Sequence, residues 1–398
     1  MYSRICRQPF PFEIRNRNVT NKSGIRNQKS AVLIALFFVL FLTSCDTVTD
    51  NNPVNNLNTL TTLHLFASKE DLLNVYNNRF TNLEIPVKVD YEGNVYKGEM
   101  EPSGAGSRYF PKYSYEITLK EGEVKNLVEF NISAQVYDKV MVKSVLTKYM
   151  YEQGGFPVFY TEPVFITMNS ENLGLYAFIE EVDEYYFAKY NIPVYEHYQV
   201  KFDAKFTFSR KNNVKENFDK EIPNDDNYEN IEVLIAAIDE VSPEDIYTEL
   251  NKLIDVEEYL KYHVITTIRH DPDAFNNNFF LYKETPMSPF RVIPWDFDKT
   301  FDIVGRVGFY GYNDIIRKLF LNDSCRAFYK EYMRYYLNTV FTEGRLYPII
   351  DELAARISPY YQYDPYLGHN DFEKEVQSLK TFITERRKFL LGEVERFE

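Results

Sequence analysis

The sequence predicts an α+β fold in two parts, strands first and helices after, with a short β-hairpin set into the helical part. Three observations carry this. Strand-like segments at 83–91, 115–119 and 163–179 are separated by turn residues. From residue 231 onward the segments between turn signals are helical in pattern. Inside that second part, 279–282 and 290–293 are apolar runs flanking the turn-rich 284–289.

Composition supports one large domain or two smaller ones. Hydrophobic residues are 44% and aromatics 17% of 398 residues, enough for a substantial core. The net charge of −14 excludes nucleic acid as a partner, because phosphate binding needs a basic surface. The cysteines, Cys6, Cys45 and Cys325, form no disulfide framework or metal knuckle. Cys325 is expected to be a buried small residue.

Residues 1–29 are basic, 31–42 apolar, and Leu42-Thr43-Ser44-Cys45 follows. This is the pattern of a signal peptide, and its ending resembles a bacterial lipobox. The apolar run is short for a membrane-spanning helix. The expected organisation is a signal peptide over 1–44, then a lipidated Cys45 and flexible tether over 45–62, and a folded domain over 63–398. The expected location is the cell envelope or surface, with a lipid anchor in the membrane.

Within the domain, 83–91 alternates in part and Gly93 marks a turn. A glycine-bearing turn at 103–107 precedes Arg108, Lys112 and the strand 115–119. Such a turn can offer backbone N–H groups and cations to phosphate. Residues 138–153 read as a helix, capped by Asp138 and stopped at Gly154-Gly155. Val136, Val140, Val145 and Tyr149 are expected on its core-facing side. Two strands, 163–168 and 173–179, flank a turn at 169–172. Residues 199–210 alternate as a half-buried strand, and 211–228 read as a surface loop. Helices follow over 231–239, from Ser242-Pro243, and from Asp255 to Arg269, the last with Glu258 completing a capping box. After the hairpin come helices at 312–319, 327–341 and 346–356, a Tyr/Pro loop at 358–368, and a long helix at 372–397.

The chemistry gathers at 270–302, HDPDAFNNNFFLYKETPMSPFRVIPWDFDKTFD. An antiparallel hairpin returns to its start, so Asp273 and Asn278 before the first strand come near Asp296 after the second. Carboxylate and amide oxygens are hard ligands, and Mg²⁺ typically takes one or two carboxylates plus substrate phosphates. Protein kinases use an Asp, an Asn five residues on, and a second Asp beyond a hairpin. Asp273 to Asn278 has this spacing, and so does Asp271 to Asn276, so spacing alone leaves both open.

The runs NNFFLY and FRVIPWDFDKTF resemble the CotH family of secreted atypical protein kinases, with its N-[YF]-[YF]-L-Y and I-P-W-D-x-D segments. The resemblance extends over most of the chain after about residue 80. Ser107, Arg108, Pro111, Lys112, Ser114 and Tyr115 match the family's R-G-N-S-S-R-x-x-P-K-K-S-Y segment. Its first Arg and its Asn are absent here, and its second Lys is Tyr113. Gly174, Leu175, Tyr176, Glu180 and Asp183 match N-G-E-x-x-G-L-Y-x-L-x-E-x-I-D.

The resemblance implies a two-lobed, atypical protein-kinase-like fold. Its N-lobe, about 63–185, would be an antiparallel sheet plus one helix. Its C-lobe, about 186–398, would be mostly helical with the hairpin at the site. It implies Asp273 as the catalytic carboxylate and Asn278, Asp296 and Asp298 as metal ligands. Lys112, Arg108 and Glu180 would contact the nucleotide, with Glu180 alternatively fixing the hinge between lobes. The implied cofactor is Mg²⁺ or Mn²⁺, the co-substrate ATP, and the acceptor a Ser or Thr hydroxyl of a secreted or surface protein. His270 is expected to be structural, and Trp295 to pack beneath the metal loop. Two other readings stay open: a metal-dependent nucleotide-sugar or phosphodiester enzyme using the Asp271/Asp273 and Asp296/Asp298 pairs, and a surface lipoprotein with a degenerate site that binds glycans or protein.

Overall fold

The computed structural model describes residues 59–104, 106–201, 214–305 and 313–397. The expected signal peptide and Cys45 lie outside the described residues, as does most of the expected strand 199–210.

The first part is a closed barrel of strands in the order β1-β2-β3-β4-β5-β7-β6. The strands are β1 (Thr61–Phe66), β2 (Ile85–Tyr91), β3 (Asn94–Ser103), β4 (Ser114–Leu119), β5 (Glu129–Ser133), β6 (Thr161–Met168) and β7 (Glu171–Glu180). Alternation explains the interior: Leu63, Leu65, Val87, Val89, Ile117, Phe130 and Phe178 point inward and are buried. The expected antiparallel sheet is corrected in one respect. β1 pairs in parallel with β6, matching Thr61 with Val164 and Leu65 with Met168, and this closes the barrel. Closure removes the exposed edges an open sheet would leave. A helix, α1 (Lys69–Asn77), follows β1, and Ser68 caps it by accepting from Asp71 N.

The helix expected from Asp138 begins later, as α2 (Lys143–Gln153). Asp138 still organises the turn, accepting from Val140 N at 3.0 Å and Lys143 N at 2.8 Å. Its buried face is Leu146, Thr147, Met150 and Tyr151, while Val136 and Val140 precede the helix. That face packs into the core of the second part: the Tyr151 hydroxyl lies 2.8 Å from Thr266 Oγ1. A short α3 (Glu184–Lys189), capped by Asp183, leads out of the barrel.

The second part holds a four-stranded sheet in the order β11-β10-β8-β9. Its strands are β8 (Glu196–Val200), β9 (Phe218–Ile222), β10 (Phe279–Lys283) and β11 (Arg291–Pro294). The region expected to be a loop over 211–228 contains α4 (Val214–Asn217) and β9, whose polar alternation hides a strand that pairs with β8. The helices are α5 (Glu229–Glu240), α6 (Ile246–Leu250), α7 (Val256–Arg269), α8 (Asp314–Leu319), α9 (Asp323–Thr339), α10 (Glu343–Tyr361) and α11 (Phe372–Val394). α6 starts after the Ser242 turn rather than at it, and α10 extends to Tyr361, past the expected loop boundary. Cys325 is fully buried, and burial pushes its thiol up to about 12.

The loop between α10 and α11 returns to the barrel. Asp364 accepts from Leu175 N at 2.7 Å and from Lys112 Nζ at 2.8 Å. This contact needs a glycine at 174. A Cβ there would stand 2.2 Å from Asp364 Oδ2, and φ is +104°.

Candidate active site

The site is built outward from α7. Asp255 caps this helix by accepting from Glu258 N at 2.9 Å. The expected reciprocal arm of a capping box is not made. The Glu258 carboxylate instead takes Val292 N at 2.8 Å and Arg291 at 2.6 Å, which fixes the start of α7 to β11. The helix ends where His270 turns left-handed, with φ at 53°. His270 Nδ1 meets Asp302 Oδ1 at 2.7 Å, a tie across the loop.

The two aspartates that spacing left open are separated by their surroundings. Asp271 is buried and faces Arg269 at 2.6 Å, a close ion pair misaligned for a hydrogen bond. Its carboxylate also accepts from Asp273 N and Ala274 N, so it folds the loop. Burial raises its pKa to about 6 against the pull of Arg269. Asp273 is part-exposed and accepts from Lys299 Nζ at 2.6 Å. The loop is held from below by Tyr262, whose hydroxyl donates to Ala274 O, and by Asn313, which donates to Phe275 O.

The hairpin returns as the pattern requires. Phe279 pairs with Pro294 and Tyr282 with Arg291, and Trp295 N donates to Asn278 O at 3.0 Å. Asn278 Nδ2 thereby comes within 3.4 Å of Asp296 Oδ2. Both residues are left-handed, with φ of 57° and 49°. Phe297 stacks on Phe159 at 4.9 Å and on Tyr151 at 5.7 Å, anchoring the loop that carries Asp296 and Asp298. Trp295 packs against Phe159 at 4.6 Å and Phe280 at 5.4 Å.

The acidic groups crowd one another. Asp298 is held well above the carboxylate range by burial and by the neighbouring charges of Asp296 and Asp271. Asp296 is raised by burial and by Asp273, with Lys299 opposing. A divalent cation fits this set, since it would relieve the repulsion and be met by hard oxygen donors from Asn278, Asp296 and Asp298. Among the described residues no group of three or more His, Cys, Asp or Glu side chains forms a self-sufficient metal cage. Mg²⁺ bound here would take further oxygens from a substrate, its usual arrangement.

Asp296 and Trp295 open onto a cavity of about 420 Å³ between the barrel and the second sheet. Its barrel wall carries Ser114, Glu116, Glu129 and Glu181, and Phe159 and Phe280 line it as well. Burial and the neighbouring Glu129 push Glu116 up to about 7, and burial pushes Glu181 well above the carboxylate range. Among the described residues, no lysine or arginine lines the cavity.

The nucleotide-site residues expected from sequence lie outside the lining of this cavity. Lys112 is buried away from the cavity, donating to Leu175 O and Asp364 and lying 4.6 Å above the Tyr176 ring. The reason is the returning α10–α11 loop, which supplies Asp364 from 252 residues away. Arg108 folds back onto its own turn, donating to Pro102 O at 2.6 Å and Asn82 at 2.9 Å. Glu180 accepts from Tyr160 N, Tyr190 and Lys189 at the exit from the barrel. Its neighbour Glu181 is the one that faces the cavity. Arg269 and Lys299 were missed by sequence reasoning. Lys299 stands in the WDFDK run itself, whereas Arg269 carries no signal, because its place between the Tyr151 and Phe297 rings is tertiary.

A barrel joined to a mostly helical part, with Asn278 meeting Asp296 across the hairpin and Asp296 opening onto the cavity between the two parts, defines an α+β protein with a cleft lined by oxygen-bearing side chains. The family comparison gives this class its particular identity. The chain matches the CotH kinase protein family over residues 96–390, and it belongs to that family. It is 25% identical over 358 residues to the inner spore coat protein H of Bacillus subtilis (strain 168), covering 85% of this chain and 98% of that one. Among solved structures, the Helicobacter pylori proinflammatory kinase CtkA aligns over 71% of this chain and 94% of its own, at 14% identity and a TM-score of 0.31. The Golgi casein kinase with Mn/ADP bound aligns over 84% of this chain and 75% of its own, at 12% identity and a TM-score of 0.31.

Proposed function

We propose that this protein is a metal-dependent protein kinase that moves the γ-phosphoryl group of ATP to a Ser or Thr hydroxyl of an exported or cell-surface protein. The observation that carries the reading is the meeting of Asn278 and Asp296 at 3.4 Å across the hairpin, with Asp273 on the same loop. Asp273 orients the acceptor hydroxyl and takes its proton as the new P–O bond forms and ADP leaves. Lys299, 2.6 Å away, holds that carboxylate in place. Asn278, Asp296 and Asp298 would hold Mg²⁺ or Mn²⁺, which when bound supplies charge neutralisation to the phosphates. Tyr262 and Asn313 keep the Asp273 loop rigid, and Trp295 and Phe297 keep the Asp296 loop packed. The lipobox-like segment before Cys45 supports export and a lipid anchor as part of the same proposal.

The test is transfer of labelled phosphate from ATP, with Mg²⁺ and with Mn²⁺, to secreted proteins by wild type, Asp273→Asn and Asp296→Asn. Each variant is expected to melt like the wild type and to lose at least about 100-fold in rate, the scale set by loss of a positioned base or charge stabiliser. Full activity in either variant removes that residue's assignment. One observation favours a second reading: the cavity has carboxylates where a triphosphate would lie and no lysine among the described residues. That suits a binding protein with a silent site. Absence of both transfer and any nucleotide-dependent thermal shift in the wild type would select it.

A further inference from the structure

Large apolar side chains stand exposed on one outer face of the barrel part. Tyr76 is 54% exposed, Phe80 52% and Tyr109 77%. They are not scattered. Phe80 and Tyr109 have ring centroids 5.0 Å apart, and Phe110, next in the chain, meets Tyr137 edge-on at 5.7 Å. The Lys299 ammonium lies 5.2 Å from the Tyr137 ring and 2.6 Å from Asp273. At the far end the Arg79 guanidinium lies 4.8 Å over Phe80 and 5.6 Å from the Tyr76 ring. Two ring pairs, joined through the consecutive residues Tyr109 and Phe110, thus lead from Arg79 to the Lys299–Asp273 pair, and none of these rings lines the cavity.

Contiguous exposed aromatic surface marks an interaction site rather than chance exposure. This series also has a direction, since its inner end is the group that receives the acceptor hydroxyl. We propose that Tyr76, Phe80, Tyr109, Phe110 and Tyr137 form a docking strip for the acceptor protein, which binds as an extended segment bearing aromatic and acidic side chains on one side of its Ser or Thr. The proposal rests on the kinase reading for the role of Asp273. Edge-to-face rings leave faces free for further aromatic packing. The cations at the two ends, Arg79 and Lys299, set the preference for acidic residues.

The test uses the full chain and its Phe80→Ser/Tyr109→Ser double variant, whose changes are at exposed positions. The probes are fluorescent 12-residue peptides with a central Ser, flanked on one side by alternating Tyr and Glu, or by Ala and Gln. Binding is read by anisotropy without nucleotide, and phosphate transfer to the same peptides is read separately. The wild type is expected to bind the Tyr/Glu peptide at least tenfold more tightly than the Ala/Gln peptide. The double variant is expected to lose that preference, with KM raised, kcat unchanged and an unchanged melting temperature. A wild type with no preference, or a variant that keeps it, overturns the strip. So does a variant whose only loss is binding to phosphatidylglycerol vesicles or self-association in light scattering. Peptide preference without any phosphate transfer leaves the strip standing and counts against the kinase reading instead.

Discussion

Lys112 shows how a residue that fits a motif can be diverted by a partner far along the chain. Its ammonium is buried against Asp364, and burial depresses its pKa while Asp364 opposes the shift. Asp364 is equally committed, accepting from Leu175 N, Tyr366 N and Leu367 N. Lys112→Met would leave this carboxylate buried without its counter-ion. The expected loss is about 3 kcal/mol of stability, the usual cost of breaking a buried pair from one side. Measured by urea melts, that loss should be accompanied by nucleotide affinity within about twofold of wild type at a temperature where the variant is folded. A variant of unchanged stability with abolished nucleotide binding would return Lys112 to the phosphate role its sequence context implies. Asp271 and Asp273 make the complementary point. Equal spacing to an asparagine left them indistinguishable; the family resemblance points to Asp273, and the partners, Arg269 for Asp271 and Lys299 for Asp273, set a buried loop-folding carboxylate apart from an accessible one.

The site's rigidity belongs to elements, not to single residues. α7 is capped at its start by Asp255, clamped to β11 through Glu258, and ended by His270, so the Asp273 loop leaves it in one direction. The β10–β11 hairpin then delivers Asp296 to Asn278. Most of this was legible in sequence, because a cap, an amphipathic run and a turn between apolar segments are local signals. The loop between α10 and α11 was legible only as a Tyr/Pro segment, and its docking against β7 depends on Gly174. Gly174→Ala is expected to cost about 1–3 kcal/mol, from a side chain forced to positive φ and into Asp364. Thermal melts check this, and an alanine variant as stable as wild type would show that the loop is not pinned there.

Across the molecule, buried ionisable groups set how stability follows pH. His197 and His263 are buried, and burial pushes each down to about 3 from an ordinary value of 6.5. Between those values the unfolded chain binds protons that the folded chain does not. The stability associated with the neutral rings is therefore present above pH 6.5 and is lost as pH falls toward 3, by about 1.4 kcal/mol per unit for each histidine. Glu116 works in the opposite sense. Its folded value near 7 exceeds its ordinary 4.5, so its contribution is present below 4.5 and is lost as pH rises through 7. His263→Gln should accordingly flatten the decline between pH 6.5 and 4 in urea melts run at several pH values. Parallel profiles for variant and wild type would show that His263 is not held neutral.

The sequence by itself determined the α+β class, the hairpin, the helix that leads into it and the Asp/Asn/Asp spacing. Each is written within a few residues to a few tens of residues, where periodicity, caps and turns act. Tertiary structure decided the parallel β1–β6 pairing that closes the barrel, the capture of Lys112 by Asp364, the acidic wall of the cavity and the aromatic strip reaching Lys299. These join residues that stand apart in the chain, up to 252 positions for Lys112 and Asp364, and no local pattern records which distant surface a side chain will meet once loop closure and burial have chosen the packing.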